Sequence, residues 1–143
     1  RAKMSEASVT AGMAFNLTQT AAAHACSYPL TQIFGVPHGE ACALTLAEFW
    51  RLNSSGPEAE RLQAFSKRMG FEHANALADQ IDFMKQTMGL KMTLQEAGVD
   101  NEEKLNTLVE HSFAPNIQNN PVEITPDYLK EFYRKLQNSV VST

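Results

Sequence analysis

The sequence predicts an all-α protein, a single bundle of about six helices. Three observations carry this. Apolar residues recur every three or four positions along most of the chain, Pro and Gly interrupt that period at intervals of one helix length, and no stretch alternates apolar with polar residues between hairpin turns. With 143 residues, 43% of them hydrophobic, the chain can furnish one core and has no room for a second domain.

Residues 2 to about 26 are rich in Ala, Met and Leu and contain no Pro, and Met4, Ala7, Ala11, Phe15 and Thr18 keep one helical stripe. One long helix is expected, already under way at Arg1 without a cap, as at the cut end of a longer chain. Ala11 and Gly12 would let another helix approach closely. Pro29 is expected to end this helix, with Gly35 and Pro37 in a short irregular connection.

A second helix runs from about His38 to Leu52. Ser55 and Glu58 read as a capping box for a third, with Pro57 among its first positions, which lasts to Met69 and stops at Gly70. Ala74 to Met88 follows, with Leu77, Ile81, Met84 and Met88 as a core-facing stripe and Gly89 at its end. Asp100 and Glu103 read as another capping box, opening a helix through Leu105, Leu108 and Phe113. Asn116 to Glu123 is a turn-like connection. Thr125 then caps a last helix with Tyr128, Leu129, Phe132, Tyr133 and Leu136 on its apolar side.

Composition narrows the function. A net charge of -4 leaves no basic face to neutralise a phosphate backbone, so nucleic acid is excluded as a partner. The longest apolar run, Ala41 to Ala47, is too short to span a bilayer, and no segment is laid out as a secretory signal. Cys26 and Cys42 form neither a CxxC pair nor a disulfide framework. They read as reduced, small core residues, which fits a cytoplasmic location.

Of the four histidines, His73 beside Glu72 and His111 beside Glu110 read as surface residues. His24 and His38 are different, because one lies near the end of a helix and the other at the start of the next. If the Pro-Gly-Pro segment folds the chain back into a helical hairpin, both imidazoles face one point. Iron(II) and zinc accept imidazole nitrogen, but a closed site takes three or four protein ligands, and Glu40 is spaced to point elsewhere. On these residues alone, a pair of hydrogen-bonded structural histidines is the default and half of a metal site the alternative.

Three blocks carry a resemblance: Ala11-Gly12-Met13-Ala14-Phe15-Asn16, His24-Ala25-Cys26-Ser27-Tyr28-Pro29-Leu30 and Gly35-Val36-Pro37-His38-Gly39-Glu40-Ala41, in that order. Together they resemble the signature of the iron-containing (group III) alcohol dehydrogenases. The stretch from Asn119 to Thr125 is similar to that family's carboxyl-terminal end, so the likeness covers almost the whole chain. The Ser-Tyr-Pro-Leu-Thr version of the middle block faintly resembles members associated with phosphonate metabolism.

The resemblance implies an NAD- or NADP-dependent enzyme that interconverts an alcohol and an aldehyde, with its site between a dinucleotide-binding domain and a helical domain. This chain, residues 1–143, would be the helical metal-binding part. The family's divalent metal, iron(II) or else zinc, is held by an aspartate and three histidines, the last two of which match His24 and His38. The other two ligands, and the glycine-rich nucleotide loop, would belong to residues ahead of these. By that reckoning the chain alone binds metal weakly or not at all and turns nothing over.

Many members carry a histidine where Tyr28 stands, which makes Tyr28 the candidate catalytic residue. A phenol can donate a hydrogen bond or relay a proton, yet it is a poorer base than imidazole at neutral pH. Phe34, Pro37 and Phe49 line or support the cleft, with core packing the default for each. Beyond its own N-terminal domain, the chain is expected to self-associate through an apolar surface on its first two helices.

Two rivals stand beside this reading. Dehydroquinate synthase, a lyase, and glycerol dehydrogenase also carry a His-Gly-Glu element on a related helical domain. A free-standing helical interaction module with structural histidines is the other.

Overall fold

A computed structural model describes residues 1–138, which contain seven α-helices and no strand. The helices are α1 (Ala2–Phe15), α2 (Ala22–Gln32), α3 (His38–Asn53), α4 (Ala59–Arg68), α5 (Ala74–Thr87), α6 (Glu102–His111) and α7 (Pro126–Asn138), with a 3-10 turn at Pro115–Asn119. The core lies where α2, α3, α6 and α7 meet around Cys26, Leu30, Leu44, Phe49, Leu105, Leu108, Leu129 and Tyr133, with Leu94, Ala97 and Val99 from the α5–α6 connection filling its floor. Small residues on α2, Ala22, Ala25 and Cys26, are fully buried and let its neighbours come close.

The expected first helix is two. The chain leaves helical geometry after Phe15 and resumes it at Ala22, although no Pro or Gly marks the break. The cause is tertiary. Asn116 Nδ2 donates to Thr20 Oγ1 at 2.8 Å, and Asn119 Nδ2 donates to the Thr20 carbonyl at 2.9 Å and to Gln19 Oε1 at 3.1 Å. Polar side chains from the late 3-10 turn thus hold the 16–21 segment in a non-helical path.

α1 buries none of its residues, so the stripe through Met4 and Phe15 is exposed, and nothing lies within 4 Å of where a Gly12 side chain would start. The close helix approach expected there does not occur among the described residues.

Pro29 does not end the helix either. It sits inside α2, and the Ile33 amide donates to its carbonyl at 2.9 Å, adding a turn beyond it. A mid-helix Pro costs about 3 kcal/mol through the lost amide donor and ring crowding. Burial of Ala25, Cys26, Ser27, Pro29 and Leu30 on that helix offsets it. The turn comes at Gly35, whose φ of 70° is the left-handed conformation that a Cβ disfavours. It reverses the chain into α3, which packs along α2 as the hairpin the sequence predicts.

Other expectations shift by smaller amounts. No capping box forms at α4, because the Ser55 hydroxyl donates back to the Arg51 carbonyl and Glu58 itself is the N-cap. At α6 the cap is Asn101, one residue past Asp100, its side chain accepting from the Lys104 amide at 2.9 Å. On α5, Leu77 is buried as expected, whereas Met84 and Met88 are exposed and Lys85 is buried instead. Lys85 Nζ meets Asp82 at 2.6 Å, and Asp82 is shared with Arg51 of α3 at 2.8 Å, so the buried ammonium is neutralised within an ion network beside the predicted stripe. Thr125 caps α7 through the Tyr128 amide, and its apolar side supplies the core as predicted.

Candidate metal centre

The α2–α3 hairpin decides the geometry. His24 lies in the first turn of α2, not near the end of a helix as expected, because the chain breaks before Ala22; His38 opens α3, and the two ring centroids stand 4.8 Å apart, edge to face. The Tyr28 ring, one turn along α2 from His24, closes the group at 5.2 Å from His24 and 6.3 Å from His38. The three residues singled out in the sequence therefore form one cluster. His24 and Tyr28 are half-buried and His38 is exposed, so the cluster is open to solvent on one side.

Hydrogen bonds around the rings fix their orientation. Ser27 Oγ, fully buried, donates to the His24 carbonyl at 2.6 Å. Its lone pair then faces His38 Nδ1 at 3.4 Å and accepts from it, which leaves the His38 Nε2 lone pair free to point into the cluster. Burial, and then the charge of His38, lower the His24 imidazole below its ordinary value, favouring the neutral form that coordination requires. Glu40 is turned away as the spacing predicts. Its carboxylate accepts from the Lys91 amide at 2.8 Å and meets Lys91 Nζ at 3.2 Å, tying α3 to the segment after α5.

One member of the cluster was not expected. Cys42, read from the sequence as a core residue, is only half-buried, and its Sγ lies 3.7 Å from His24 Nδ1 and 3.8 Å from His38 Nε2. The signal was present in the sequence: four residues after His38 on a helix puts Cys42 on the same face one turn later. The reading as a core residue holds for Cys26, which is fully buried. Potential ligand atoms of His24, His38 and Cys42 all fall within 4.8 Å of one another.

His24 and Cys42 also help to line a cavity of about 340 Å³, together with Leu46, Phe49, Trp50 and Leu62. Phe49 combines this role with the core, being 2% exposed and stacked on Phe132 at 4.6 Å. Phe34 packs against the core, and Pro37 is exposed at the N-cap of α3 beside His38, outside the core. His111 is exposed, and His73, also exposed, does a structural task the sequence reading missed: its Nδ1 caps α5 by accepting from the Ala76 amide at 3.0 Å.

Fold and cluster together define a helical domain that gathers potential metal ligands at the mouth of one hairpin. A sequence model of the iron-containing alcohol dehydrogenase family, C-terminal part, matches residues 1–137. The chain belongs to that family, in its C-terminal helical domain.

The structure superposes with a TM-score of 0.90 on the crystal structure of sulfoacetaldehyde reductase from Bifidobacterium kashiwanohense in complex with NAD+, at 46% identity, covering 96% of this chain and 36% of that one. It is 32% identical to a 1-propanol dehydrogenase of Salmonella typhimurium over 95% of this chain and 40% of that protein. A phosphonoacetaldehyde reductase of Streptomyces viridochromogenes is 40% identical over 60 residues, which is 42% of this chain and 15% of that protein, in keeping with the resemblance to phosphonate-associated members. The chain thus spans some two fifths of the length of the first two relatives.

Proposed function

We propose that this chain is the metal-holding helical part of a cytoplasmic NAD- or NADP-dependent alcohol dehydrogenase that reduces a small aldehyde and runs in reverse on the alcohol. The observation that carries the reading is the pair of imidazoles 4.8 Å apart at a hairpin where the buried Ser27 hydroxyl stands 3.4 Å from His38 Nδ1. The donor set fits a borderline divalent ion, iron(II) or zinc, with His24 and His38 as two of its ligands. When bound, such an ion supplies Lewis acidity, polarising a carbonyl or easing ionisation of an alcohol.

This chain's own residues bind and orient. Ser27 holds the His38 ring in place, and His24 presents a ring kept neutral by burial and by its neighbour. Leu46, Phe49 and Trp50 give the cavity beside His24 an apolar wall suited to a short carbon skeleton. Tyr28, whose ring centroid is 5.2 Å from that of His24 and 6.3 Å from that of His38, would donate its phenolic proton to the oxygen of the substrate or relay one. A nicotinamide cofactor, when bound, would supply the hydride chemistry, and no glycine-rich, phosphate-cradling loop occurs in these residues to hold its phosphates.

A specific similarity favours a narrower substrate. The sulfoacetaldehyde and phosphonoacetaldehyde reductases both act, by name, on an acetaldehyde bearing an anionic tetrahedral group, and both exceed the propanol dehydrogenase in identity over the parts they share. An aldehyde of that kind is the second reading.

In the full-length enzyme, His24→Ala and His38→Ala are each expected to strip the metal and lower kcat/KM at least about a hundred-fold. Retention of stoichiometric metal and full turnover in both variants would refute the assignment. Tyr28→Phe is expected to lower kcat with little change in metal content, and unchanged turnover would dismiss a proton relay. Comparing kcat/KM for propanal, sulfoacetaldehyde and phosphonoacetaldehyde decides between the two substrate classes.

A further inference from the structure

We propose that Cys42 is a third metal donor, so that this chain by itself presents a three-ligand His24–His38–Cys42 set that takes zinc or cobalt(II). The inference rests on the reading of His24 and His38 as ligands and adds to it a residue of another chemical class.

The distances carry it. In a tetrahedral site with metal–sulfur bonds of about 2.3 Å and metal–nitrogen bonds of about 2.05 Å, each sulfur-to-nitrogen edge is about 3.6 Å and the nitrogen-to-nitrogen edge about 3.3 Å. Here Sγ stands 3.7 Å from His24 Nδ1 and 3.8 Å from His38 Nε2, within a few tenths of an ångström of those edges. All three ligand atoms fit inside 4.8 Å, so closing the remaining edge takes an approach of at most about 1.5 Å, which side-chain rotation supplies.

The scaffold is preset on two sides. His38 and Cys42 share a face of α3 one turn apart, and the Ser27 hydroxyl leaves the His38 Nε2 lone pair bare toward the sulfur. Half-burial at the end of the apolar cavity removes part of the water that would otherwise compete for the ion, and the other side of the cluster is open for its arrival. Binding is a ligand exchange. The thiol S–H bond breaks, its proton goes to solvent, and the sulfur lone pair forms the bond to the divalent ion in place of a water, with no change of oxidation state. A third donor tightens binding beyond what two imidazoles give. A thiolate among them moves the preference of the chain toward zinc and cobalt(II) over iron(II).

Cobalt(II) titration of the 143-residue chain, followed by absorption, tests this directly. The expected result is a thiolate-to-cobalt charge-transfer band in the near ultraviolet together with intense tetrahedral d–d bands, both displaced by zinc. Cys42→Ser, which keeps the side-chain volume at a half-exposed position, is expected to abolish the charge-transfer band and weaken cobalt binding about ten-fold or more, with unchanged helical circular dichroism. Cys42→Ala should behave the same way.

Cobalt bound without the sulfur band, identically in wild type and Cys42→Ser, overturns the thiolate while leaving the two-imidazole reading intact. Failure of the chain to take up cobalt at all overturns the three-donor set. The imidazole assignment is then judged separately, by the metal content of the full-length His24 and His38 variants.

Discussion

At the scale of single residues, the two cysteines differ in chemistry because of where they sit. Cys26 is fully buried, and burial pushes its thiol up to about 12, against hydrogen bonds with Tyr133 and Ser112 that pull the other way. Cys42 is half-buried at the mouth of the hairpin. Iodoacetamide is therefore expected to label Cys42 alone in the native chain and both thiols in denaturant, read by mass spectrometry of the peptides. Rapid native labelling of Cys26 would contradict the packing described here.

Glu40 gives a pH dependence of definite sign. The Lys91 amide bond first, then the Lys91 ammonium, hold its carboxyl below the ordinary value. The stabilisation is thus complete above the ordinary carboxylate value of about 4.3 and is lost as pH falls through the lower folded value. Glu40→Gln is expected to cost about 1 kcal/mol in urea melts at pH 7, with the difference from wild type vanishing in acid. An equal difference at both pH values would show the carboxylate to be irrelevant.

Among the elements, the late 3-10 turn is the keystone of the site's support. Asn120 is 7% exposed and exchanges two amide hydrogen bonds with Asn53 at the end of α3, at 3.0 and 2.9 Å, while donating to the Val122 carbonyl at 2.7 Å. Asn120→Ala strands those partners and is expected to cost about 1–3 kcal/mol, measured by thermal or urea unfolding. A change under about 0.5 kcal/mol would mean the network carries little.

α1 is the opposite case. It has 14 residues, none of them buried, and an isolated helix of that length is marginal in water. Its amides are expected to exchange with deuterium within seconds, well ahead of those of α2 and α3. Met13→Gln should leave the unfolding midpoint of the body unchanged. Protection of α1 equal to that of α3 would reveal a partner for it.

Over the whole molecule, what could be read from the sequence divides by the range of the forces involved. α3 was legible from end to end, because its amphipathic period and the Gly35–Pro37 turn before it are local features. The α1–α2 break was not, since its anchor on Thr20 comes from Asn116, 96 positions further on. α5 misled for a related reason: several of its turns offer an apolar residue, and only the neighbouring Arg51 and Asp82 decide that Lys85 and not Met84 turns inward. Of the candidate site, His24, His38 and Tyr28 came from the sequence, and Cys42 emerged when the hairpin closed.

The amino-acid order by itself determined the all-helical class, the reversal between α2 and α3 and the family, because periodicity, turn-forming residues and sequence blocks are encoded in neighbouring positions. Tertiary structure alone decided which faces are buried, where the first helix breaks and that His24 comes within reach of His38 and Cys42. Those outcomes depend on contacts between segments far apart in the chain, which no local stretch of sequence encodes.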